Sequence, residues 1–114
     1  MNNPETALQS DVLMFLNSFI GINAFRLSNH AVAGMRNGEM YYRKDKWKRL
    51  GLADICAFIR GAGVVFIEVK TPKGRLSDHQ IEFQDLCKYY DVKYFVVTGI
   101  EDTAQMLKGL GVVK

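Results

Sequence analysis

Residues 51–70 read GLADICAFIRGAGVVFIEVK, and this stretch decides the fold. Runs of β-branched and aromatic residues lie on both sides of the glycine-rich turn RGAG, which predicts strands over 53–59 and 64–70. Because so short a turn joins them, the two strands should be antiparallel neighbours. A register that sets Asp54 across from Glu68 would bring two carboxylates together at one end of the pair.

Three charged side chains lie at this end of the strand pair. Glu68 and Lys70 flank Val69, so they point to the same face of the sheet. Charges at the end of an apolar strand are costly to desolvate unless they are paired or bind a ligand. Because facing carboxylates repel each other, Asp54 and Glu68 call for a cation between them, and their oxygens suit Mg²⁺ or Mn²⁺. From these residues alone, a solvated strand face with a surface ion pair is the alternative to a metal site.

The rest of the chain carries further helix and strand signals. Ser77 and Gln80 have the spacing of a capping box, and Thr98 with Glu101 repeats it. The stretch 29–52 is irregular and contains a hairpin turn signal, Asn37-Gly38. The patterns predict helices from Pro4 to near Gly21, from Asp78 to about Tyr90 and from the Thr98 cap to near Gly109, with further strands over 23–28 and 93–97. The predicted order is α-β-β-β-α-β-α, an α/β sandwich around a mixed sheet.

Length, charge and cysteine content narrow the class of protein. The chain has 114 residues, which predicts one domain over residues 1–114. Its formal net charge of +3 favours an anionic partner, but only mildly. No apolar run nears the roughly 20 residues that span a bilayer, and the N-terminus lacks the features of a signal peptide. Cys56 and Cys87 lie in apolar patterns, so we expect reduced core residues in a cytoplasmic protein rather than a zinc site.

Two basic clusters are candidates for contacts with phosphate groups. Lys73 and Arg75 flank Gly74 directly after the second of the two strands, and a solvated turn is the alternative interpretation. The second cluster is interleaved with tyrosine and tryptophan residues and consists of Arg43, Lys44, Lys46, Lys48 and Arg49, of which the last four are the candidates for phosphate contacts. Basic and aromatic side chains together suit backbone contacts and base stacking in nucleic acids. The same pattern also fits a charged surface over a small aromatic cluster.

Several of these motifs together resemble a known nuclease family. Gly51-Leu52-Ala53-Asp54 followed by Glu68-Val69-Lys70 resembles the signature of the PD-(D/E)XK nuclease superfamily. The run from Thr71 to Gln80, with Glu5-x-x-x-Gln9 near the N-terminus, narrows the resemblance to the virus-type replication-repair nuclease (VRR-NUC) domain in its stand-alone phage or bacterial form. The resemblance covers most of the chain, with the motifs in the family's order. One departure is Ala53, where the family often has proline.

The resemblance implies a fold and a mechanism. The fold would be restriction-endonuclease-like, with an α-β-β-β-α-β core and a mixed sheet flanked by helices. The chemistry would be metal-assisted phosphodiester hydrolysis, in which Lys70 positions the attacking water and steadies developing negative charge. The implied metal ligands, for Mg²⁺ or Mn²⁺, are Asp54, Glu68, the backbone carbonyl of Val69 and, directly or through water, Glu5. Complementarity to the helix dipole is the alternative role for Glu5, and helix capping is the alternative to a catalytic role for Gln80.

The resemblance also suggests a substrate and an assembly. We expect an endonuclease for branched DNA, such as four-way junctions, that acts as a homodimer in the cytoplasm of a bacterial cell or a phage-infected host. We expect no organic cofactor and no membrane partner. The alternatives are a sequence-specific restriction-type enzyme and a nucleic-acid-binding protein that has lost catalysis. The candidate dimer surfaces are the aromatic segment 35–47 and the last helix, with Met106, Leu107 and Leu110.

Overall fold

The structure is a computed structural model that describes residues 4–27, 32–36, 39–43, 47 and 49–114. The turn signal Asn37-Gly38 and the basic residues Lys44, Lys46 and Lys48 lie outside the described residues. The elements in chain order are α1 (Pro4–Asn17), β1 (Ile22–Arg26), β2 (Val32–Arg36), β3 (Glu39–Arg43), β4 (Ile55–Ile59), β5 (Gly63–Val69), α2 (Asp78–Tyr89), β6 (Lys93–Val97) and α3 (Ile100–Gly109).

The main sheet has four strands in the order β1-β4-β5-β6. β4 runs antiparallel to β1 and to β5, whereas β5 and β6 are parallel, so the sheet is mixed as predicted. The β4–β5 register pairs Ile55 with Ile67 and Ile59 with Gly63. Continued by one residue, this register sets Asp54 across from Glu68, and the predicted register is confirmed.

A second sheet consists of β2 and β3 alone, which pair antiparallel. The pairing of Arg36 with Glu39 makes them the hairpin that the turn signal indicated. The predicted element order omitted both strands and was incomplete there. Gly34 in the middle of β2 weakens its strand signal, because glycine has no side chain to pack and is depleted from strands.

Helices cover the two faces of the main sheet unequally. α1 and α3 pack on one face, where the main core forms from residues that include Val12, Leu16, Ile55, Ile67 and Leu107. α2 packs on part of the other face through Phe83 and Cys87, against residues of β5, β6 and the segment before β4. Cys56 and Cys87 are both free and buried, which confirms them as core residues. Among the described helices, none is long and apolar enough to cross a membrane.

The last helix turns its apolar side inward. Met106 is 6% exposed and Leu107 is fully buried, and both belong to the main core. Leu110 is partly buried against the same cluster. The prediction that this helix offers Met106 and Leu107 to a partner subunit was therefore wrong, since a chain of this size needs them for its own core.

The two predicted capping boxes had different outcomes. At α2, the Gln80 N–H donates to Ser77 Oγ over 3.2 Å and the Ser77 N–H donates to Gln80 Oε1 over 2.8 Å, as predicted. At α3, the N-cap is Gly99, and the acceptor for Thr98 is Asp102 rather than Glu101. Hydrogen bonds from the Thr98 hydroxyl and N–H hold the pKa of Asp102 below its ordinary value. Because the helix begins one residue later than predicted, the acidic partner lies four residues on.

Gly51 lets the segment before β4 approach the start of α2. Its φ of +74° lies in the left-handed region, and an added Cβ would overlap the His79 carbonyl group and lie 2.6 Å from the Gln80 nitrogen. Neither backbone group can move without disturbing the first turn of the helix. Glycine is therefore required here both by conformation and by space.

We predict that Gly51→Ala destabilises the protein by roughly 3 kcal/mol, because left-handed strain of about 1–2 kcal/mol is added to overpacking of about 1–3 kcal/mol. Gly61→Ala is the matched control, since Gly61 has a φ of +88° but open space around a Cβ. Urea unfolding of both variants measures the difference. Equal losses would contradict the close approach of this segment to α2.

Candidate active site

Asp54 lies where the chain enters β4 and contacts both neighbouring strands. Its Oδ2 accepts a hydrogen bond from the Val69 N–H over 2.9 Å, and its backbone carbonyl accepts one from the Leu27 N–H over 2.8 Å. The Asp54 side chain thus accepts a hydrogen bond from the Val69 N–H of β5. If β4 were longer, a backbone carbonyl of β4 would accept this bond instead. The carboxylate is held at the end of β5, beside Glu68.

Glu68 is the buried acidic side chain of the described core, at 1% exposure. Its Oε1 has no hydrogen-bond partner among the described residues. Burial, together with the hydrogen bond and negative charge of Asp54, raises the pKa of Glu68 to about 9, against a smaller lowering by Lys70. With no cation present, Glu68 therefore retains its proton at neutral pH.

Lys70 follows on the same face of the sheet and meets α1. Its Nζ lies 3.7 Å from Glu5 Oε1, and the two side chains are 12% and 34% exposed. Among the described residues, no three His, Cys, Asp or Glu side chains are grouped closely enough to hold a metal ion. The structure thus brings Glu5 to Lys70, and direct or water-mediated metal contact by Glu5 stays a prediction.

Arg26, at the end of β1, joins this strand to the first turns of α1. Its Nε donates to Gln9 Oε1 over 3.1 Å, and its Nη2 donates to Ser10 Oγ over 2.7 Å. These bonds place the start of α1, with Glu5, beside the carboxylates and Lys70. Sequence reasoning did not assign Arg26 to the site. Alternation along β1 places Arg26 on the same face as Ala24, which is buried, and an arginine on a core-facing side of a strand indicates a specific partner.

The other predicted site residues differ in how the structure places them. Lys73 and Arg75 are exposed in the loop after β5, and the Gly74 N–H donates to the Thr71 carbonyl in a tight turn there. Arg49 is exposed as well. The side-chain carbonyl of Gln80 is used by the helix cap, so a catalytic role for Gln80 stays a prediction.

The donor set fits a small divalent cation. Asp54 and Glu68 supply carboxylate oxygens, and the buried Oε1 of Glu68 has no hydrogen-bond partner within the part of the chain that the structure describes. In a strand, the N–H and C=O of one residue point to the same side, so the Val69 carbonyl lies on the side where its N–H meets Asp54. An all-oxygen set of this kind suits Mg²⁺ or Mn²⁺.

A mixed sheet with a carboxylate before one strand and Glu-x-Lys ending the next defines a restriction-endonuclease-like fold of the PD-(D/E)XK type. The sequence pattern of the VRR-NUC domain matches residues 22–101. The chain belongs to the VRR-NUC domain family, whose members are nucleases of that type. A solved structure described as a VRR_NUC domain is similar, with a TM-score of 0.66 and 17% identity, covering 94% of this chain and 97% of the other. No curated protein matches the chain in sequence.

The raised pKa of Glu68 predicts how stability depends on pH in EDTA. Between its ordinary value of 4.5 and about 9, the unfolded chain releases the proton while the folded protein keeps it. The free energy of unfolding therefore falls as pH rises through this window and levels off above it. The glutamine in Glu68→Gln cannot ionise, so the free energy of unfolding of this variant, relative to that of the wild type, should increase from pH 5 to pH 9.

Urea unfolding at several pH values measures this difference. Asp91→Asn, an exposed carboxylate at the other end of β6, should follow the wild-type pH dependence. The left-handed backbone at Asp91, with a φ of 56°, tolerates asparagine, so the control should fold. A constant difference between Glu68→Gln and the wild type would mean that Glu68 is ionised throughout.

Proposed function

We propose that this protein is a metal-dependent endonuclease that hydrolyses DNA phosphodiester bonds. The observation that carries the proposal is the buried Oε1 of Glu68, which has no partner among the described residues and lies beside Asp54. An unpaired buried carboxyl group is destabilising, and a protein that only bound nucleic acid would gain nothing from a carboxylate pair near phosphates. A cation between the two groups accounts for both features.

Asp54, Glu68 and the carbonyl of Val69 would hold the Mg²⁺ or Mn²⁺ ion. When bound, the cation would polarise the scissile phosphate and lower the pKa of the attacking water. The bond from the Val69 N–H keeps the Asp54 carboxylate in place before any ligand arrives. This fixed orientation reduces the reorganisation that binding would otherwise require.

Lys70 would orient the attacking water and stabilise negative charge on the phosphate. Its side chain is only 12% exposed, so its charge is less screened by solvent than that of a surface lysine. Glu5 lies 3.7 Å from the ammonium group and would restrict where it points. Arg26, through its bonds to Gln9 and Ser10, would hold α1 so that Glu5 keeps this contact.

Backbone phosphates of the substrate would meet the exposed loop after β5. Lys73 and Arg75 are both exposed there, and the loop leaves β5 directly after Lys70. Phosphate contacts of this kind set the register of DNA at the site without reading its sequence. Arg49, with Lys44, Lys46 and Lys48, would extend the contact along the DNA.

The proposed substrate is branched DNA, and the proposed working form is a homodimer. One chain has one candidate site, whereas resolving a four-way junction takes two symmetric incisions, which a two-fold dimer supplies. Beyond the area that α2 covers, Phe58 and Val64 are 52% and 46% exposed on the sheet and offer apolar surface to a second copy. Sedimentation at micromolar concentration tests this assembly, and a strict monomer would contradict it. We place the enzyme in the cytoplasm of a bacterial or phage-infected cell, which suits its two free thiols.

We predict that Asp54→Asn, Glu68→Gln and Lys70→Met each lower the cleavage rate by about 100-fold or more, because each removes a group that stabilises the transition state. Asp91→Asn and Lys93→Met, at the far end of β6, are the matched controls and should cleave at the wild-type rate. The assay uses end-labelled four-way junctions and linear duplexes with Mn²⁺, with Mg²⁺ and with EDTA. Full activity of any of the three variants, or cleavage in EDTA, would contradict the proposed site.

The same gels test the substrate. Preferential, paired cleavage of the junction supports the branched-DNA proposal. Cleavage of linear duplex at one sequence would instead favour a restriction-type enzyme, and binding with no cleavage under any metal would favour an inactive binder.

We predict that the double variant Lys73→Ala with Arg75→Ala has a less steep salt dependence of DNA binding. The slope of log affinity against log salt concentration should fall in magnitude by roughly 1 to 2, since each phosphate contact contributes about 0.9 to it. Fluorescence anisotropy of a labelled junction in EDTA measures it without cleavage. Lys108→Ala with Lys114→Ala removes the same charge from the C-terminal part of the chain and is the control. If both double variants change the slope equally, the loop makes no special contact.

A further inference from the structure

Tyr94 contributes a buried hydroxyl group that packing does not explain. Tyr94 lies on β6 and packs under α2 against the apolar residues around Phe83 and Cys87. Its ring centre lies 5.9 Å from that of Phe83. The hydroxyl oxygen is buried and has no hydrogen-bond partner among the described residues. Phenylalanine would fill the same space without leaving a polar atom unsatisfied, so the hydroxyl requires another explanation.

The other buried side-chain atom without a partner, within the described part of the chain, is Oε1 of Glu68. The parallel register pairs Tyr94 with Phe66 and Val96 with Glu68. Tyr94 and Glu68 therefore point to the same face from neighbouring strands, two residues apart along the sheet. The long tyrosine side chain can span this offset toward the carboxyl group.

Electrostatics agree with this placement. Burial raises the pKa of Tyr94 above its ordinary value, and electrostatic interaction with the acidic groups of Glu68, Cys87 and Asp54 adds to the rise. The hydroxyl is thus within electrostatic reach of both carboxyl groups of the candidate site. It remains protonated at neutral pH and is available as a hydrogen-bond donor.

We propose that Tyr94 is a positioning residue for Glu68, whose carboxylate it fixes toward Asp54 by donating a hydrogen bond across one buried water that bridges the two unpartnered oxygens. The inference rests on the proposed function, because the carboxylate becomes fully ionised when it holds a cation. An ionised carboxylate accepts stronger hydrogen bonds than a protonated one. Carboxylates that bind metals are commonly held by such a second hydrogen bond, which orients the ligand oxygen.

The variant Tyr94→Phe separates this role from packing, because it keeps the ring and removes the hydroxyl alone. Tyr89→Phe is the matched control, since Tyr89 is 80% exposed on α2. Two measurements are made on the protein without DNA: the affinity for Mn²⁺ by calorimetry, and urea unfolding in EDTA. Cleavage of a labelled junction is then followed as a function of Mn²⁺ concentration.

We expect Tyr94→Phe to be as stable as the wild type in EDTA, or more stable, because an unsatisfied polar atom is gone. Its dissociation constant for Mn²⁺ should rise roughly 10-fold or more, as is typical when a group that orients a metal ligand is removed. Half-maximal cleavage should move to higher Mn²⁺ by the same factor, with the rate largely restored at saturation. Tyr89→Phe should change none of these values.

An unchanged affinity for Mn²⁺ would overturn the inference, and so would a loss of stability in EDTA without a loss of affinity, which is the result for a purely structural residue. A comparison of the wild type with Asp54→Asn tests the proposed function separately. If the wild type binds Mn²⁺ no better than Asp54→Asn does, the proposed metal site is wrong, and the inference about Tyr94 is wrong with it.

Discussion

The hydrogen bond from the Val69 N–H to Asp54 Oδ2 joins the segment before β4 to the end of β5. Antiparallel pairing between these strands ends at Ile55 and Ile67, and the Asp54 side chain continues the connection beyond that point. The bond holds Asp54 beside Glu68 at the end of the sheet. The raised pKa of Glu68 follows from its burial and from that placement.

A buried carboxyl group beside a second carboxyl group is stable in one of two ways. It keeps its proton, which the raised pKa of Glu68 indicates, or it binds a cation, as the proposed function requires. Under that proposal, the proton stabilises the protein without metal, and the cation would create a site able to act on a phosphodiester. Stability and function therefore compete at Glu68, and the fold tolerates this because the surrounding core of β4, β5 and β6 is apolar and well packed.

The helices supply what the strand pair lacks. α1 brings Glu5 to Lys70, and Arg26 ties the helix to β1 through Gln9 and Ser10. α2 packs on part of the face on which Glu68 lies, and its Phe83 ring contacts the rings of Phe66 on β5 and Tyr94 on β6. The match to a solved VRR_NUC domain at 17% identity shows that this arrangement of sheet and helices survives extensive change in sequence.

Local patterns in the sequence determined the strand pair and the cap of α2. The β-branched runs on both sides of a short turn predict an antiparallel pair, and Asp54 opposes Glu68 in one of the registers that such a pair allows, which is the register that the structure has. The Ser77 capping box was equally predictable, because all of its atoms lie within four residues.

Only the tertiary structure decided which distant groups meet. Glu5 pairs with Lys70, and Tyr94 lies near Glu68, because helices and strands far apart in sequence dock at particular angles. A single sequence encodes periodicity along each element, whereas the contact between two elements depends on how their side chains pack together. The same reason explains why Met106 and Leu107 could be recognised as apolar from sequence but not assigned to the core rather than to a partner.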